Sequence, residues 1–288
     1  MDMIYTVMNR LLFVMWMAGM LFLSSCSIKE DRDRCPCWMT VDLSDVAESR
    51  WKSLEVQSNI EHQDVTKSPE SCSNVAENVL LRLRGNSDED AVEYEYQMTE
   101  AVRADAGTLE YEVPRGSVGV SAVNPVRLTI PVGEQMDSLY GFFKMYHTRC
   151  ESVLCDVELH KEFCTVSFTL GEDGYTSPYH IEVWGNVAEV SAWDLMPVQG
   201  EFRYASMQKN GVYQVRVPRQ VDNSLELVML EDSEIVDRLP LGEYIARSGY
   251  DWTAEDLADV NVVLDLEMQQ VMITVSGWDG VVVMDIVI

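Results

Sequence analysis

Cys164-Thr-Val-Ser-Phe-Thr-Leu170 alternates without a break: Cys164, Val166, Phe168 and Leu170 on one side, Thr165, Ser167 and Thr169 on the other. Successive side chains of a strand leave on opposite faces, so period two puts one face in a core and the other in water. Gly171-Glu-Asp-Gly174 then turns the chain. Upstream, the same alternation runs through Cys37, Met39, Val41 and Leu43, through Val79, Leu81 and Leu83 and through Val92, Tyr94, Tyr96 and Met98. It continues in Leu109, Tyr111 and Val113, then in Val126, Leu128 and Ile130. Downstream it recurs in Ile181 and Val183, in Phe202 and Tyr204, in Tyr213, Val215 and Val217, and in Leu225, Leu227 and Met229. Val262, Leu264 and Leu266, then Val271, Ile273 and Val275, lead to the apolar run Val281-Val-Val-Met284.

Short strands punctuated by Gly85-Asn-Ser-Asp88, Ala106-Gly107 and Pro114-Arg-Gly116 point to an all-β chain of antiparallel sandwiches. Strands do not alternate with helices, which excludes a nucleotide-binding parallel sheet. Short helices are expected in the second half at 241–248, closed by Gly249, and at 253–259, where Thr253-x-x-Asp256 resembles a capping box. Residues 44–78 are polar and weakly patterned, which predicts a long loop with partial helix. The expected division is a signal peptide (1–25), a tether (26–36), a first β-domain (37–156) and a second (157–288).

The N-terminus gives the address. Leu11 to Leu23 is uncharged and 13 residues long, too short for a helix to cross a hydrocarbon core of about 30 Å. With Arg10 before it, this run fits a secretory h-region. Asp2 is unusual in such a leader, and a start at Met8 would remove it. Leu23-Ser24-Ser25-Cys26 resembles the lipobox of bacterial lipoproteins, which implies that the Cys26 thiol carries the lipid. Ser27 is not the Asp of inner-membrane retention, and Lys29-Glu30-Asp31 resembles the export signal of Bacteroidetes surface lipoproteins. The expected location is the outer membrane, lipid-anchored and surface-exposed.

Loss of residues 1–25 removes one Asp and one Arg, so the mature chain keeps the formal charge of −27. Such a chain does not track nucleic acid phosphates or adhere by charge to an anionic membrane. Six cysteines remain after Cys26: Cys35, Cys37, Cys72, Cys150, Cys155 and Cys164. An even number in an exported chain predicts disulfides, in any of 15 pairings. Cys35-Pro36-Cys37 would strain a local bridge, so these two are expected to take different partners.

No catalytic pattern stands out. His62, His147, His160 and His180 form no His-Glu-x-x-His, and neither a Gly-x-Ser-x-Gly elbow nor a phosphate-binding glycine loop is present. Asp88-Glu-Asp90 lacks the alternate ligands and glycine bend of a calcium loop. Cys150, Cys155 and Cys164 with His147 and His160 match a zinc site only loosely. Asp137-Ser138-Leu139 resembles an O-glycosylation site of exported Bacteroidetes proteins. The expectation is a non-enzyme without metal or cofactor.

Several segments of the second half form a recognisable set: Leu159-His-Lys-Glu-Phe-Cys-Thr-Val166, Val217-Pro-Arg-Gln220 through Asp222 to Ser224-Leu225, and Leu239-Pro-Leu-Gly-Glu-Tyr-Ile-Ala246. Gly249-Tyr-Asp-Trp252, Asp256-Leu257, Asp259 and Gly277-Trp278 complete it. The set resembles the fimbrial anchor lipoproteins of the Bacteroidetes, the FimB-like minor-subunit family. Cys35-Pro-Cys-Trp38 fits in the first half. The resemblance implies two tandem transthyretin-like β-sandwiches, saturated acyl chains such as palmitate on Cys26, and a place at the base of a fimbrium. It implies shaft or accessory subunits as partners, joined by strand addition. Its Arg-Gln and Tyr-Asp-Trp segments are expected to fix turns and packing, with Trp252 and Trp278 as apolar bodies and Asp251 as cap of the second helix. The alternative is a surface lipoprotein that binds a glycan or other ligand on an aromatic platform, with Trp38, Trp51, Trp184 and Trp193 as candidates.

Overall fold

Alternation becomes ladder along most of the chain. A computed structural model describes residues 37–48, 78–87, 95–124, 126–171, 179–265, 269–277 and 280–285. The leader, Cys26, the tether with Cys35, Trp51, His62, Cys72, Asp88-Glu-Asp90 and Trp278 lie outside the described residues. The first strands are β1 (Cys37–Asp42), β2 (Asn78–Ser87), β3 (Glu95–Arg103) and β4 (Thr108–Val113), with the single-turn α1 (Ser44–Glu48) after β1. Then come β5 (Gly116–Val123), β6 (Tyr140–His147), β7 (Ser152–Asp156) and the two-residue β8 (His160–Lys161). The second half holds β9 (Phe163–Leu170), β10 (His180–Val190), β11 (Pro197–Ser206), β12 (Tyr213–Pro218), β13 (Glu226–Glu231) and β14 (Glu234–Leu239). Helix α2 (Leu241–Arg247), β15 (Val260–Asp265), β16 (Gln270–Val275) and β17 (Val282–Asp285) complete it.

The strands form four sheets, ordered β4-β1-β7, β3-β2-β5-β6-β8, β12-β9-β15-β16-β17 and β11-β10-β13-β14. Adding eight to each label of the first two orders reproduces the core of the other two: β1 lies between β4 and β7 as β9 lies between β12 and β15, and β3-β2-β5-β6 matches β11-β10-β13-β14. The chain is therefore all-β and folds as two tandem sandwiches of one topology, the second extended by the β16–β17 hairpin. In the opening stretch, Cys164, Val166, Phe168 and Leu170 are buried and stand in β9, at the heart of their sheet.

Three expectations need correction. The sandwiches are not wholly antiparallel: β1 pairs with β7 and β9 with β15 in parallel. Each such strand opens its sandwich and is rejoined only after the chain has crossed to the facing sheet and back, a connection that period two does not encode. Residues 253–259 form turns rather than a helix, because their carboxylates bond to distant backbone, as described below. Val126, Leu128 and Ile130 lie outside the named strands and run along the second sandwich instead.

That run is half of a mutual clasp. Thr129 bridges to Glu189. The Ile130 amide donates to the Ala188 carbonyl at 2.7 Å, and Val190 N–H donates to Leu128 O at 2.9 Å. Further on, Gly133 N–H reaches Arg203 O at 2.9 Å and Arg216 Nη1 donates to Ser138 Oγ at 2.7 Å. In the other direction, the turn after β10 lies on the first sandwich. Trp193 meets Phe143 edge-on, with ring centroids 5.5 Å apart, and Leu195 covers Gly141. A Cβ on Gly119 would stand 2.5 Å from the Trp193 ring, so only glycine admits the indole there. Arg82 donates to the Ala192 carbonyl from the same face. Buried apolar side chains run continuously through both halves. Trp193→Ala should therefore lower stability by about 2 kcal/mol in denaturant titration, the loss of one large apolar contact; an unchanged midpoint would show that the clasp adds nothing.

Candidate functional site

Three of the segments that carried the family resemblance, around Glu162, Arg219 and Trp252, meet at one place. Arg219, just past β12, projects to Glu162 between β8 and β9. Its Nε and Nη2 donate to Glu162 Oε2 at 3.1 and 2.9 Å, and its Nη1 donates to the carbonyls of Trp252 and Ala254 at 2.5 and 2.8 Å. One guanidinium thus joins three chain segments, using the planar fork that suits it to this task. Both partners are largely buried, with side chains 16% and 10% exposed. Burial pushes the Glu162 carboxyl above its ordinary value, and Arg219 pulls against that rise.

The turn segment 251–259 is shaped by its own carboxylates. Asp251 accepts from Thr253 N and Oγ1 at 2.8 and 2.6 Å, an Asx turn in place of the helix cap expected of it. These bonds hold its carboxyl below the usual range. Asp256, expected to close a capping box with Thr253, accepts instead from the Lys161 amide at 2.8 Å. Asp259 accepts from Lys161 Nζ at 2.5 Å and from the Thr165 amide at 2.7 Å. His160 lies against this turn, its ring nitrogens 3.2 Å from Glu255 and 3.4 Å from Asp256. Tyr250 O–H donates to Ala258 O at 2.7 Å, and Tyr250 meets Trp252 edge-on at 4.7 Å. The expectation that Trp252 packs rather than reacts agrees with this geometry.

The neighbouring Leu239-Pro-Leu-Gly-Glu-Tyr segment makes α2, which buries Leu241, Tyr244 and Ile245 and ends at Gly249, φ 89°. Gly242 packs so closely that a Cβ would meet the Asn223 carbonyl oxygen at 2.5 Å. Because β8 adds to β6 in the first sandwich while its flanks are held by Arg219, Asp256 and Asp259, the knot fastens the joint between the halves. The polar groups of Arg219, Asp251, Asp256 and Asp259 are committed to backbone and to neighbouring side chains, whereas the buried Trp252 Nε1 has no partner. Among the described residues, no group of three or more His, Cys, Asp or Glu is placed to hold a metal, and no helix is long and apolar enough to cross a membrane.

The other expected residues are spread out. His147 lies on β6, and His180 stands 3.4 Å from Glu182 on β10. Ser138, of the glycosylation-like triplet, accepts from Arg216 inside the clasp. The guanidinium carbons of Arg203 and Arg238 lie over the Trp184 ring, 4.1 and 4.8 Å from its centroid. With Trp193 packed on the first sandwich, Trp38 remains as the candidate platform residue that is half exposed. Cys155 and Cys164 are buried away from the other described cysteines. Burial raises their thiols to about 11 and about 12. Cys37 and Cys150, by contrast, stand together at the start of the β1–β7 pairing, each just before one end of the bond from Trp38 N–H to Glu151 O. The clasp and the Arg219 knot escaped sequence reasoning in detail. The clustering of the motif set was the available signal for the knot, and nothing local marks the clasp.

This is the fold of fimbrial anchor and adhesin proteins of the Bacteroidetes. The fimbrial anchor protein Mfa2 from Porphyromonas gingivalis superposes with a TM-score of 0.50 at 11% identity, over 85% of this chain and 98% of that one. A candidate adhesin from Bacteroides ovatus matches at 0.51 and 12% identity, over 86% of this chain and 96% of its own. A candidate polysaccharide-binding protein from Bacteroides thetaiotaomicron matches at 0.51 and 14%, over 88% and 98%. No family model matches the sequence, and no curated protein matches it.

Proposed function

We propose that this chain is a non-enzymatic outer-membrane lipoprotein that anchors a fimbrium to the cell surface. Residues 37–156 and 157–288 are its two units, with β8 of the second completing a sheet of the first, and Cys26 is its lipid attachment point. The observation that carries this reading is the likeness in fold, along almost the whole of both chains, to a fimbrial anchor protein. An anchor must pass load from a tether through two domains without parting them, and the clasp and the Arg219 knot suit that duty. Partners are shaft or accessory subunits, joined by strand addition to a sheet edge. Among the described residues, β14 and β17 are sheet edges, and Ile235, Val236, Val281 and Val283 are exposed along or beside them. The glycan-binding alternative has less support, since two guanidinium groups lie over the Trp184 ring and Trp193 is packed. Immunogold labelling of filaments sheared from cells should place this chain at one filament end. Filaments devoid of label would favour the ligand-binding lipoprotein.

A further inference from the structure

We infer that Cys37 and Cys150 form a disulfide that locks the first strand of the mature fold to the β6–β7 connection. Cys37 opens β1, and Cys150 stands two residues before β7, the strand that pairs with β1 in parallel. The register sets Trp38 opposite Ser152, and Trp38 N–H donates to Glu151 O at 2.9 Å. Cys37 and Cys150 thus each immediately precede one end of this bond, and each thiol now donates to a carbonyl of its own segment, Cys37 to Trp38 at 3.8 Å and Cys150 to Ser152 at 3.1 Å. An S–S bond of about 2.05 Å requires both thiols to turn from those carbonyls toward one another. The other two described cysteines, Cys155 and Cys164, are both buried.

The two thiols differ in access, which sets an order of events. Cys150 is exposed and Cys37 buried. Burial pushes the Cys37 thiol up and Arg115 only partly offsets this, so the exposed Cys150 is the first to react. The oxidant is a disulfide-bearing carrier protein or a small-molecule disulfide of the exported compartment. The Cys150 sulfur attacks one carrier sulfur and expels the other as a thiol. Cys37 then attacks the Cys150 sulfur and releases the second carrier thiol. Two electrons and two hydrogens pass to the carrier, and the protein keeps the S–S bond. The bridge closes a loop of more than a hundred residues, a large restriction of the unfolded chain. Its mechanical benefit rests on the anchoring reading: tension entering from the tether at residue 36 would otherwise peel β1 from the sheet end it enters. The chemistry does not depend on that reading.

The test uses the full mature chain, isolated without reductant, alkylated under denaturing conditions, digested and mapped by mass spectrometry. The expected result is a disulfide-linked pair of peptides carrying Cys37 and Cys150. Recovery of both as alkylated thiols, or of Cys150 joined to Cys35 or Cys72, overturns the assignment. In parallel, reductant should lower the melting temperature of the wild type by roughly 10 °C. In Cys150→Ser that reductant-dependent drop should vanish or shrink to a small remainder. An equal drop in both proteins overturns the claim that this bond holds the fold. Neither measurement involves a fimbrium, so their failure is distinct from failure of the proposed function.

Discussion

Arg219→Ala should destabilise the protein by about 3–5 kcal/mol, the cost of leaving one partner of a buried ion pair alone. Glu162 would keep its burial and lose both guanidinium bonds, while the carbonyls of Trp252 and Ala254 would lose their donor. The deficit should depend on pH. Burial holds the Glu162 carboxyl above its unfolded value even with Arg219 present. A carboxyl with a raised folded pKa binds its proton more tightly folded than unfolded. Its contribution to stability therefore falls as pH climbs from the ordinary carboxylate range through that raised value. Removing the cation raises the value further and extends this window upward. The gap between wild type and variant should thus be widest near neutral pH and narrow as acid protonates Glu162. Urea titrations of both proteins at neutral pH and near pH 5 measure this. A gap of the same size at both would assign the loss to packing and backbone bonds alone. The double variant Glu162→Leu, Arg219→Met removes both charges together and should recover part of the stability, whereas Arg219→Lys lacks the fork and should not reach the wild-type value.

Much of this architecture is written locally. The alternation from Cys164 to Leu170 reports β9, and similar runs report β1, β2 and β12, because burial of one strand face is a property of neighbours in sequence. Gly249 and the Leu241–Arg247 segment announce α2 for the same reason. What failed was written at long range. Thr253-x-x-Asp256 has the form of a helix start, yet the Asp256 carboxylate serves an amide at Lys161, far away along the chain. Val126, Leu128 and Ile130 alternate as a strand should, but their backbone partners stand on β10 of the other sandwich. The parallel pairings of β1 with β7 and β9 with β15 depend on how the chain crosses between sheets, which no period reports.

The knot was half legible. The segments around Glu162, Arg219 and Trp252 stood out together, and their expected duty of fixing turns and packing is the one their geometry serves. Their joint focus on a single guanidinium was not visible, since nothing in Val-Pro-Arg-Gln names the carbonyls that Arg219 reaches. The Trp193 contact was hidden for a related reason. A tryptophan in a turn can present its ring to a ligand or bury it in a neighbouring domain, and only the bare surface at Gly119 decides between them.

The largest effect on the cell should follow from one atom. Cys26→Ser removes the thiol that a lipoprotein needs for its acyl chains, and with them about 0.8 kcal/mol of membrane burial per methylene. A formal charge of −27 gives the mature surface no second means of holding an anionic bilayer. Residue 26 precedes β1, the first strand of the described fold, so both sandwiches should fold and keep their fimbrial contacts. The decisive measurement is the partition of fimbriae between cells and medium in a strain that carries Cys26→Ser as its sole copy. Anchoring by this chain predicts that cell-bound fimbriae fall sharply and that free fimbriae bearing the variant accumulate in the supernatant. A normal complement of cell-bound fimbriae in that strain would contradict it.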